Sequence, residues 1–438
     1  MPEQKERKAL KLVSRSARQW KAVHMKDEKP CPISFERDYS GVTTAADYAD
    51  AWLRLGKAVA VMPDRESVCG TYFISDSGCN RIAVFKPVDE EWGQSGRPLS
   101  SEPFKGYAEA FLLGECAYKE AAAYLLDHNN NAGVPQTAIV KCVYPIPTCF
   151  GVSSGMGAFQ VYQDNVGDAD DYGPGIFSKE NVQRIATFDL RVLNCDRHGG
   201  NLLVQETMDA KVRKLIPIDH GYILPDRVVT PPWPAWMQWP QVREPVHPSV
   251  KSYIQSVDFS HDLAMLEEEL ADKIHSGSLR TLRITTHLLK SAVDIGMSLY
   301  ETGLLVYSSG TGKSKSVLEK VADEAYAAGL VREQRIESQL DLTALEHSSS
   351  AEGKLQPTTE DFIVRYASKL IDRHLEVLQG FGSCISRARS HPNFLRRPSD
   401  KPPKKSLISS SGSSPVASGR LREYRALRLS SPSHRPEN

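Results

Sequence analysis

The sequence lacks three features that would place the protein in a special class. Its 438 residues contain no run of about eighteen apolar residues, which a bilayer-spanning helix needs. The N-terminus has no hydrophobic core of the kind found in signal peptides. No two of the eight cysteines are closer than seven positions, so neither a zinc site nor a disulfide framework is predicted. We therefore expect a cytoplasmic protein with reduced thiols, whose contact with membranes is peripheral.

A net charge is also missing, because 54 Lys and Arg residues balance 54 Asp and Glu residues. No overall field would draw in nucleic acid or an anionic surface, and we expect no nucleic-acid partner. What the chain does have is material for a large core, since 40% of its residues are hydrophobic and 25% are charged. The length suits one two-lobed domain flanked by tails.

The most informative part of the chain lies in two segments, TFDLRVLNCDRHGGNLLV at 187–204 and LIPIDHGYILP at 215–225. Asp196 and Asn201 stand five positions apart between apolar stretches, and Asp219 follows a short apolar run. This spacing is typical of a kinase catalytic loop, which presents a base and a metal-binding amide beside a second, metal-binding aspartate. We predict these roles for the three residues. The alternative is an ordinary polar turn, since Asp, Asn and Gly favour turns.

Upstream, residues 69–73 and 81–87 predict two strands joined by a Gly-containing turn, SDSGCN. The pattern resembles a phosphate-covering loop followed by a strand lysine, Lys86, that holds the phosphates of ATP. Alternatively, Lys86 is a solvated charge at a sheet edge. Apolar residues at helical spacing predict a helix over 108–127, and Glu115 or Glu120 on it could pair with Lys86. Glutamates on such helices are more often solvated.

Six blocks of the chain together resemble the successive blocks of the phosphatidylinositol 3- and 4-kinase catalytic domain, in particular the type II phosphatidylinositol 4-kinases of the plant-type gamma branch. The blocks are VCGTYF, AVFKPVDEE, KEAAAYLLD, GAFQVYQDNVGDADDYGPG, LRVLNCDRHGGNLL and IDHGYILP. The resemblance covers about residues 65–340. It implies an α+β, two-lobed, protein-kinase-like fold, with a β-rich N-lobe and a mainly helical C-lobe. It also implies an enzyme that uses ATP and Mg²⁺ to make phosphatidylinositol 4-phosphate. A protein Ser/Thr kinase on the same fold is the alternative, because these residues specify ATP chemistry and say little about the acceptor.

The resemblance also assigns roles to individual residues. The glycine loop of the family corresponds to Gly70, Thr71 and Tyr72. The hinge whose backbone meets adenine corresponds to Gln160, Val161, Tyr162 and Gln163. Lys86 would contact the ATP phosphates, while Asp196 would be the catalytic aspartate and Asn201 and Asp219 the Mg²⁺ ligands. His198 would shape the catalytic loop and contact the γ-phosphate, or else be a structural histidine.

Composition divides the chain into four parts. These are a basic N-terminal extension (1–60), the N-lobe (61–160), the C-lobe with C-terminal helices (161–385) and a Ser/Pro/Arg-rich tail (386–438) that we expect to be disordered. Residues 1 to about 30 of the extension could be a membrane-surface helix, although a frayed tail is our preferred interpretation. Helical periodicity in the C-lobe predicts helices over 258–274, 279–303 and 358–380.

Three tryptophans lie in the segment PPWPAWMQWP at 231–240, where a kinase carries its activation loop. Trp233, Trp236 and Trp239 could insert at a membrane surface, because tryptophan partitions well into that interface. The tail lysines Lys401, Lys404 and Lys405 would add attraction to an anionic surface. The alternative, which we prefer, is ordinary packing of the tryptophans against helices of the C-lobe.

Overall fold

The structure is a computed structural model that describes residues 70–91, 108–145, 152–209, 211–309, 314–343 and 358–390, together with two short strands at 35–36 and 60–63. Most of the predicted N-terminal extension lies outside the described residues. The predicted tail after residue 390, with its three lysines, lies outside them too.

The N-terminal part of the chain forms a six-stranded antiparallel sheet. Its strands are β1 (Phe35–Glu36), β2 (Ala60–Pro63), β3 (Tyr72–Ser75), β4 (Arg81–Pro87), β5 (Thr137–Pro145) and β6 (Val152–Val161). Their order across the sheet is β1-β5-β6-β4-β3-β2. In β3 every second side chain is buried, because alternate residues of a strand face opposite sides of the sheet. The sheet is covered by the helix α1 (Cys116–Leu126), which contacts β5 and β6.

Helix α1 is shorter than the helix predicted over 108–127. It begins at Cys116, and only one turn of 3₁₀-helix, Ala108–Ala110, precedes it. Gly114 has a φ of 90°, a left-handed conformation that interrupts a helix. The carboxylate of Glu91 accepts hydrogen bonds from the backbone N–H groups of Gly114 and Ala117, at 2.9 and 2.8 Å. A side chain distant in sequence therefore satisfies the N–H groups that a helix start leaves unpaired.

The C-terminal part is mainly helical. Its helices are α2 (Lys179–Val192), α3 (Pro248–Ser256), α4 (Phe259–Leu270), α5 (Ser276–Asp294), α6 (Leu299–Val306), α7 (Val317–Thr343) and α8 (Thr359–Ser390), and one hairpin of β7 (Leu202–Glu206) and β8 (Arg213–Pro217) interrupts them. The central helix is α2, which packs against α3, α5 and α6. None of the described helices is both long and apolar enough to cross a bilayer. The predicted α+β architecture with a β-rich N-lobe and a helical C-lobe is thus confirmed.

The predicted helix over 279–303 is in fact two helices. Helix α5 ends at Asp294, and Gly296 adopts a φ of 87°. Helix α6 then begins at a capping box, in which Ser298 and Glu301 satisfy each other's backbone N–H groups. The helix predicted over 258–274 likewise ends early, at Leu270. The helix predicted over 358–380 begins near its expected start and continues to Ser390.

Candidate active site

The loop that carries Asp196 begins where α2 ends. Leu193 adopts a left-handed φ of 47°, which turns the chain away from the helix axis. The side chain of Asn194 then bridges helix and loop: its amide nitrogen donates to the Asp189 carboxylate at 3.0 Å, and its amide oxygen accepts the N–H of Asp196 at 2.9 Å. These bonds hold Asp196 directly beyond the helix end.

Arg197 joins the two loops that carry the predicted metal ligands. Its side chain is buried and pairs with Asp189, whose carboxylate lies 3.0 Å from Nε. Its Nη1 donates to two backbone carbonyls, that of Asn201 at 2.6 Å and that of Ile218 at 2.7 Å. The residue before Asp219 and the predicted ligand Asn201 are therefore held by one guanidinium group. A planar group with several donors at fixed angles suits this task.

Asn201 and Asp219 are fixed in different ways. Asn201 is 5% exposed, and its amide nitrogen donates to the Asp196 carbonyl at 2.9 Å, which determines which way the amide faces. Asp219 follows strand β8 and has a φ of 58°, a conformation that aspartate adopts more readily than most residues. The Asp219 side chain is 48% exposed, so its carboxylate is open to a ligand.

Lys86 connects the two lobes at this point. It extends from β4, contacts the Glu120 carboxylate on α1, and lies 2.7 Å from the Asp219 carboxylate. Burial alone would lower the pKa of Lys86, but the charges of Asp219 and Glu120 outweigh it and raise that pKa. Burial alone would raise the pKa of Glu120, but the Lys86 charge holds it below its ordinary value. Lys86 is thus a charged, paired lysine and not a solvated edge residue.

Of the two glutamates that could pair with Lys86, Glu120 is the one that does. Glu115 pairs instead with the fully buried Lys119, 2.9 Å away, and accepts the backbone N–H of His275 at 3.1 Å. It lies at the N-terminal end of α1, while Glu120 lies in the second turn.

The ionisation of Asp196 depends on its surroundings in the site. The pKa of Asp196 is raised to about 6, mainly by burial of its carboxylate and secondly by the negative charge of Asp219. A divalent cation between them would relieve this repulsion, and the Asn201 amide and Asp219 carboxylate supply oxygen donors of the kind Mg²⁺ binds. No group of three or more His, Cys, Asp or Glu suited to a metal occurs in the described part of the chain. The two oxygen donors of Asn201 and Asp219 fit Mg²⁺, which commonly takes one or two ligands from the protein and the others from water or phosphate.

His220, the residue after Asp219, was missed by the sequence reading. Its ring is fully buried, packs edge-on against Phe188, and places Nδ1 3.7 Å from the Glu120 carboxylate. Burial lowers the pKa of His220, so the ring is neutral near pH 7. A histidine next to a predicted metal ligand in an otherwise apolar run, LIPIDHG, was the available signal.

The turn between β3 and β4 is not placed to cover phosphates held by Lys86, as the hairpin pattern had suggested. It adjoins Arg81, at the opposite end of β4 from Lys86, about 17 Å away along the strand. Tyr72 pairs with Phe85 in the β3–β4 register, so Thr71 falls beside Lys86. The chain before β3, and not the turn after it, is therefore next to the lysine.

The family-based glycine-loop residues consequently lie near Lys86. The backbone N–H of Gly70 donates to the Glu90 carbonyl at 3.2 Å, and a Cβ at Gly70 would lie 2.5 Å from the Glu90 Cβ. Tyr72 is buried, and its hydroxyl donates to the Glu90 carboxylate at 2.6 Å. At position 70, only glycine permits the close approach of the backbone to Glu90. The contact of Gly70, Thr71 and Tyr72 with nucleotide remains a prediction.

The predicted hinge lies at the end of β6 and just beyond it. Gln160 is buried, and its side chain donates to Thr137 at 3.0 Å and towards Glu120 at 3.4 Å. The backbone N–H groups of Val161 and Tyr162 donate to the carbonyls of Gln136 and Ile82. The Gln163 side-chain amide donates to the Val161 carbonyl at 3.2 Å. An adenine ring would therefore have to displace Gln163 or use other main-chain groups of this segment, and the adenine contact stays a prediction.

His198 contributes to the loop through its backbone. Its N–H donates to the Asp196 carbonyl at 3.0 Å, and its carbonyl accepts the N–H of Asn201 at 3.1 Å. The side chain itself is exposed. The backbone of His198 thus shapes the catalytic loop. A contact of its imidazole with phosphate remains a prediction.

The tryptophan segment packs into the C-lobe. Trp236 is fully buried, and its indole N–H donates to the Asp189 carboxylate at 2.9 Å. Trp233 and Trp239 are half-buried and make ring contacts at centroid distances of 6.2 Å with Tyr300 and 5.4 Å with Phe177. The hypothesis of insertion into a membrane is therefore wrong for Trp236, because its polar atom is used inside the protein. Packing, the preferred alternative, is what the structure contains.

Comparison with known proteins connects this geometry to a family. The family Phosphatidylinositol 3- and 4-kinase matches residues 70–302. Phosphatidylinositol 4-kinase gamma 4 of Oryza sativa subsp. japonica is 39% identical over 277 residues, which cover 58% of this chain and 46% of that protein. Phosphatidylinositol 4-kinase gamma 4 of Arabidopsis thaliana is 35% identical over 283 residues, which cover 60% of this chain and 49% of that protein.

A third relative, phosphatidylinositol 4-kinase gamma 2 of Arabidopsis thaliana, is 35% identical over 295 residues, covering 62% of this chain and 53% of that protein. The chain thus spans about half the length of the curated relatives it matches. The matched region contains every residue of the site, from Gly70 to Asp219, and more than half of the chain. The resemblance seen in the six sequence blocks is confirmed: the chain belongs to the phosphatidylinositol 3- and 4-kinase family.

Proposed function

We propose that this protein is an ATP-dependent phosphatidylinositol 4-kinase that makes phosphatidylinositol 4-phosphate. The observation that carries the proposal is Lys86 held between Glu120 and Asp219. Within a family of lipid kinases, that arrangement joins the N-lobe lysine to a predicted metal ligand. The acceptor is inferred from the relatives, which are named phosphatidylinositol 4-kinase gamma.

The chemistry follows from the positions of the charged groups. Asp196 would accept the proton of the inositol hydroxyl while the hydroxyl oxygen forms a bond to the γ-phosphorus of ATP. The bond between that phosphorus and the oxygen of the leaving ADP would break in the same step. Lys86 would stabilise the negative charge on the phosphates, and Asn201 and Asp219 would hold Mg²⁺. When bound, Mg²⁺ would neutralise phosphate charge that the protein alone does not balance. The Lys86 contact with Asp219 supports this, because both groups would face the same phosphates.

ATP is supplied by the cytoplasm and phosphatidylinositol is a membrane lipid, so the protein would work in the cytoplasm at a membrane surface. Such contact would be peripheral. Trp236 is unsuited to it because its ring is buried, and any contribution of the tail lysines concerns residues outside the described part of the chain.

The acceptor can be tested by offering a lipid and a protein side by side. We expect purified protein with radiolabelled ATP and Mg²⁺ to label phosphatidylinositol in vesicles and to leave casein unlabelled. Asp196→Asn protein prepared in the same way is the control, because label that persists at the wild-type level with it comes from a contaminating kinase. Label in casein and none in the lipid would favour the protein Ser/Thr kinase, which nothing in the named relatives supports.

The raised pKa of Asp196 predicts how the rate depends on pH. Only the ionised carboxylate can accept a proton, so log kcat/KM should rise with pH through about 6 and level off above it. The residual activity of Asp196→Asn is the control, since any titration of the nucleotide itself would persist in that variant. A wild-type profile that is identical in shape to the Asp196→Asn profile would contradict the assignment.

A further inference from the structure

Asp189 is a fully buried aspartate in α2 that has no direct part in the reaction above. Its carboxylate accepts hydrogen bonds from Arg197 at 3.0 Å, from the Trp236 indole at 2.9 Å and from the Asn194 amide at 3.0 Å. Its backbone carbonyl accepts the hydroxyl of Tyr307 at 3.2 Å. Segments far apart in sequence therefore meet at Asp189. A buried carboxylate is stable only if it accepts hydrogen bonds of this kind.

Arg197 carries the effect of Asp189 to the site. Its Nε and Nη2 face Asp189, while Nη1 donates to the carbonyls of Asn201 and Ile218. The N–H of Ile218 also donates to the Asn201 carbonyl, at 3.1 Å. A rotation of the Asp189 carboxylate would therefore move the guanidinium and, with it, the backbone beside both predicted metal ligands.

The other side of Asp189 is held by two segments that pair with each other. Ser308 exchanges backbone hydrogen bonds with Pro231 and Trp233, at 2.9 and 3.1 Å. This pairing sets the rings of Trp236 and Tyr307 edge-on, with centroids 5.7 Å apart. Tyr307 and Ser308 lie beyond the residues matched by the family, 70–302. The chain after the matched region thus reaches Asp189 in two ways: the Tyr307 hydroxyl bonds its backbone carbonyl, and the Tyr307 ring packs on Trp236, whose indole bonds its carboxylate.

We propose that Asp189 is a positioning residue for the catalytic loop, and that Trp236 and Tyr307 act on phosphoryl transfer through it. The inference rests on the proposed function, because it assumes that Asp196, Asn201 and Asp219 do the chemistry. Losing the indole N–H leaves part of the carboxylate unsatisfied and free to rotate, so the Arg197 geometry is no longer unique. Lys86, which would contact the ATP phosphates, is held by Glu120 and Asp219 and not by Arg197, so the defect should be larger in turnover than in ATP affinity.

The matched pair Trp236→Phe and Trp233→Phe tests the role of the indole N–H. Both changes keep an aromatic ring, but only the first removes a donor to Asp189. We expect kcat for ATP turnover to fall about tenfold in Trp236→Phe, with the ATP dissociation constant nearly unchanged. The melting temperature should fall, because a buried carboxylate loses a donor, so the rates are measured at a temperature where circular dichroism shows the variant folded. Trp233→Phe should leave kcat within about twofold of wild type. Unchanged kcat in Trp236→Phe would overturn the proposal.

A second variant covers the possibility that Trp236→Phe folds poorly. Tyr307→Phe removes only one hydroxyl, and it should lower kcat about threefold at constant ATP affinity. Combined with Arg197→Lys, it should cost less than the product of the two single effects, because both act through Asp189. Multiplicative effects, or equal losses of kcat and ATP affinity, would overturn the positioning role.

ATP turnover is measured both with and without phosphatidylinositol vesicles. Protein that hydrolyses ATP but never labels the lipid would refute the proposed acceptor. The ratio of variant to wild-type ATP turnover would still decide the role of Asp189, so the two failures remain distinguishable.

Discussion

Asp196→Asn is expected to reduce turnover about 10³-fold and to leave the protein at least as stable as wild type. The asparagine keeps the size of the side chain but cannot accept a proton. The stability follows from the sign of the pKa change: the pKa of Asp196 in the folded protein, about 6, lies above its ordinary value of 3.8. At a pH above both pKa values, the ionised carboxylate destabilises the folded protein relative to the unfolded chain. Removing its charge should therefore not lower the melting temperature.

The measurement pairs initial rates with thermal melting at pH 7.5. Asp164→Asn is the matched control, because it makes the same chemical change on an exposed carboxylate of the segment after β6. It should leave both quantities unchanged. Wild-type turnover in folded Asp196→Asn protein would exclude Asp196 as the base, whereas a lower melting temperature would show that its carboxylate stabilises the fold.

Lys86→Met is expected to lower turnover about 100-fold and to weaken ATP binding, because it removes the positive charge between Glu120 and Asp219. This variant should also lose stability. Glu120 is 2% exposed, so its carboxylate is left buried without its main cation, at a cost of about 3 kcal/mol in the free energy of unfolding. Low activity alone would therefore not separate a catalytic from a structural role.

The double variant Lys86→Met, Glu120→Gln makes that separation. Replacing the buried carboxylate with a neutral amide removes the uncompensated charge, so the melting temperature should return towards that of wild type. Turnover and ATP affinity should stay low, because the lysine is still missing. Recovery of activity along with stability would mean that Lys86 serves the fold and not the nucleotide.

The strand and loop that present Asp219 could be predicted because the signal is local. A short apolar run ending in Asp-His-Gly is a buried strand followed by a turn, and β8 with the left-handed Asp219 has this form. The strand that carries Lys86, β4, could be predicted for the same reason, because its apolar run is also local. The pairing of Lys86 with Glu120 could only be narrowed to two glutamates, because the start of α1 depends on Glu91, which is distant in sequence.

Other features depended on contacts that periodicity does not reveal. The phosphate-loop assignment of the β3–β4 turn was wrong because the strand register places that turn at the far end of β4 from Lys86. The role of Trp236 depended on Asp189, 47 positions earlier. The available signal was a charged residue in the apolar stretch of α2, because a buried carboxylate requires a buried partner. Which partner it was could not be read from spacing.

The ring position that receives the phosphate decides whether the protein is a phosphatidylinositol 4-kinase. Wild-type protein would be incubated with radiolabelled ATP, Mg²⁺ and phosphatidylinositol vesicles, the lipid product deacylated, and its ring position determined by chromatography against standards. We predict phosphatidylinositol 4-phosphate, formed by wild type and formed about 10³-fold more slowly by Asp196→Asn. A product phosphorylated at another ring position, or lipid phosphorylation at the wild-type rate in Asp196→Asn, would contradict the proposed function.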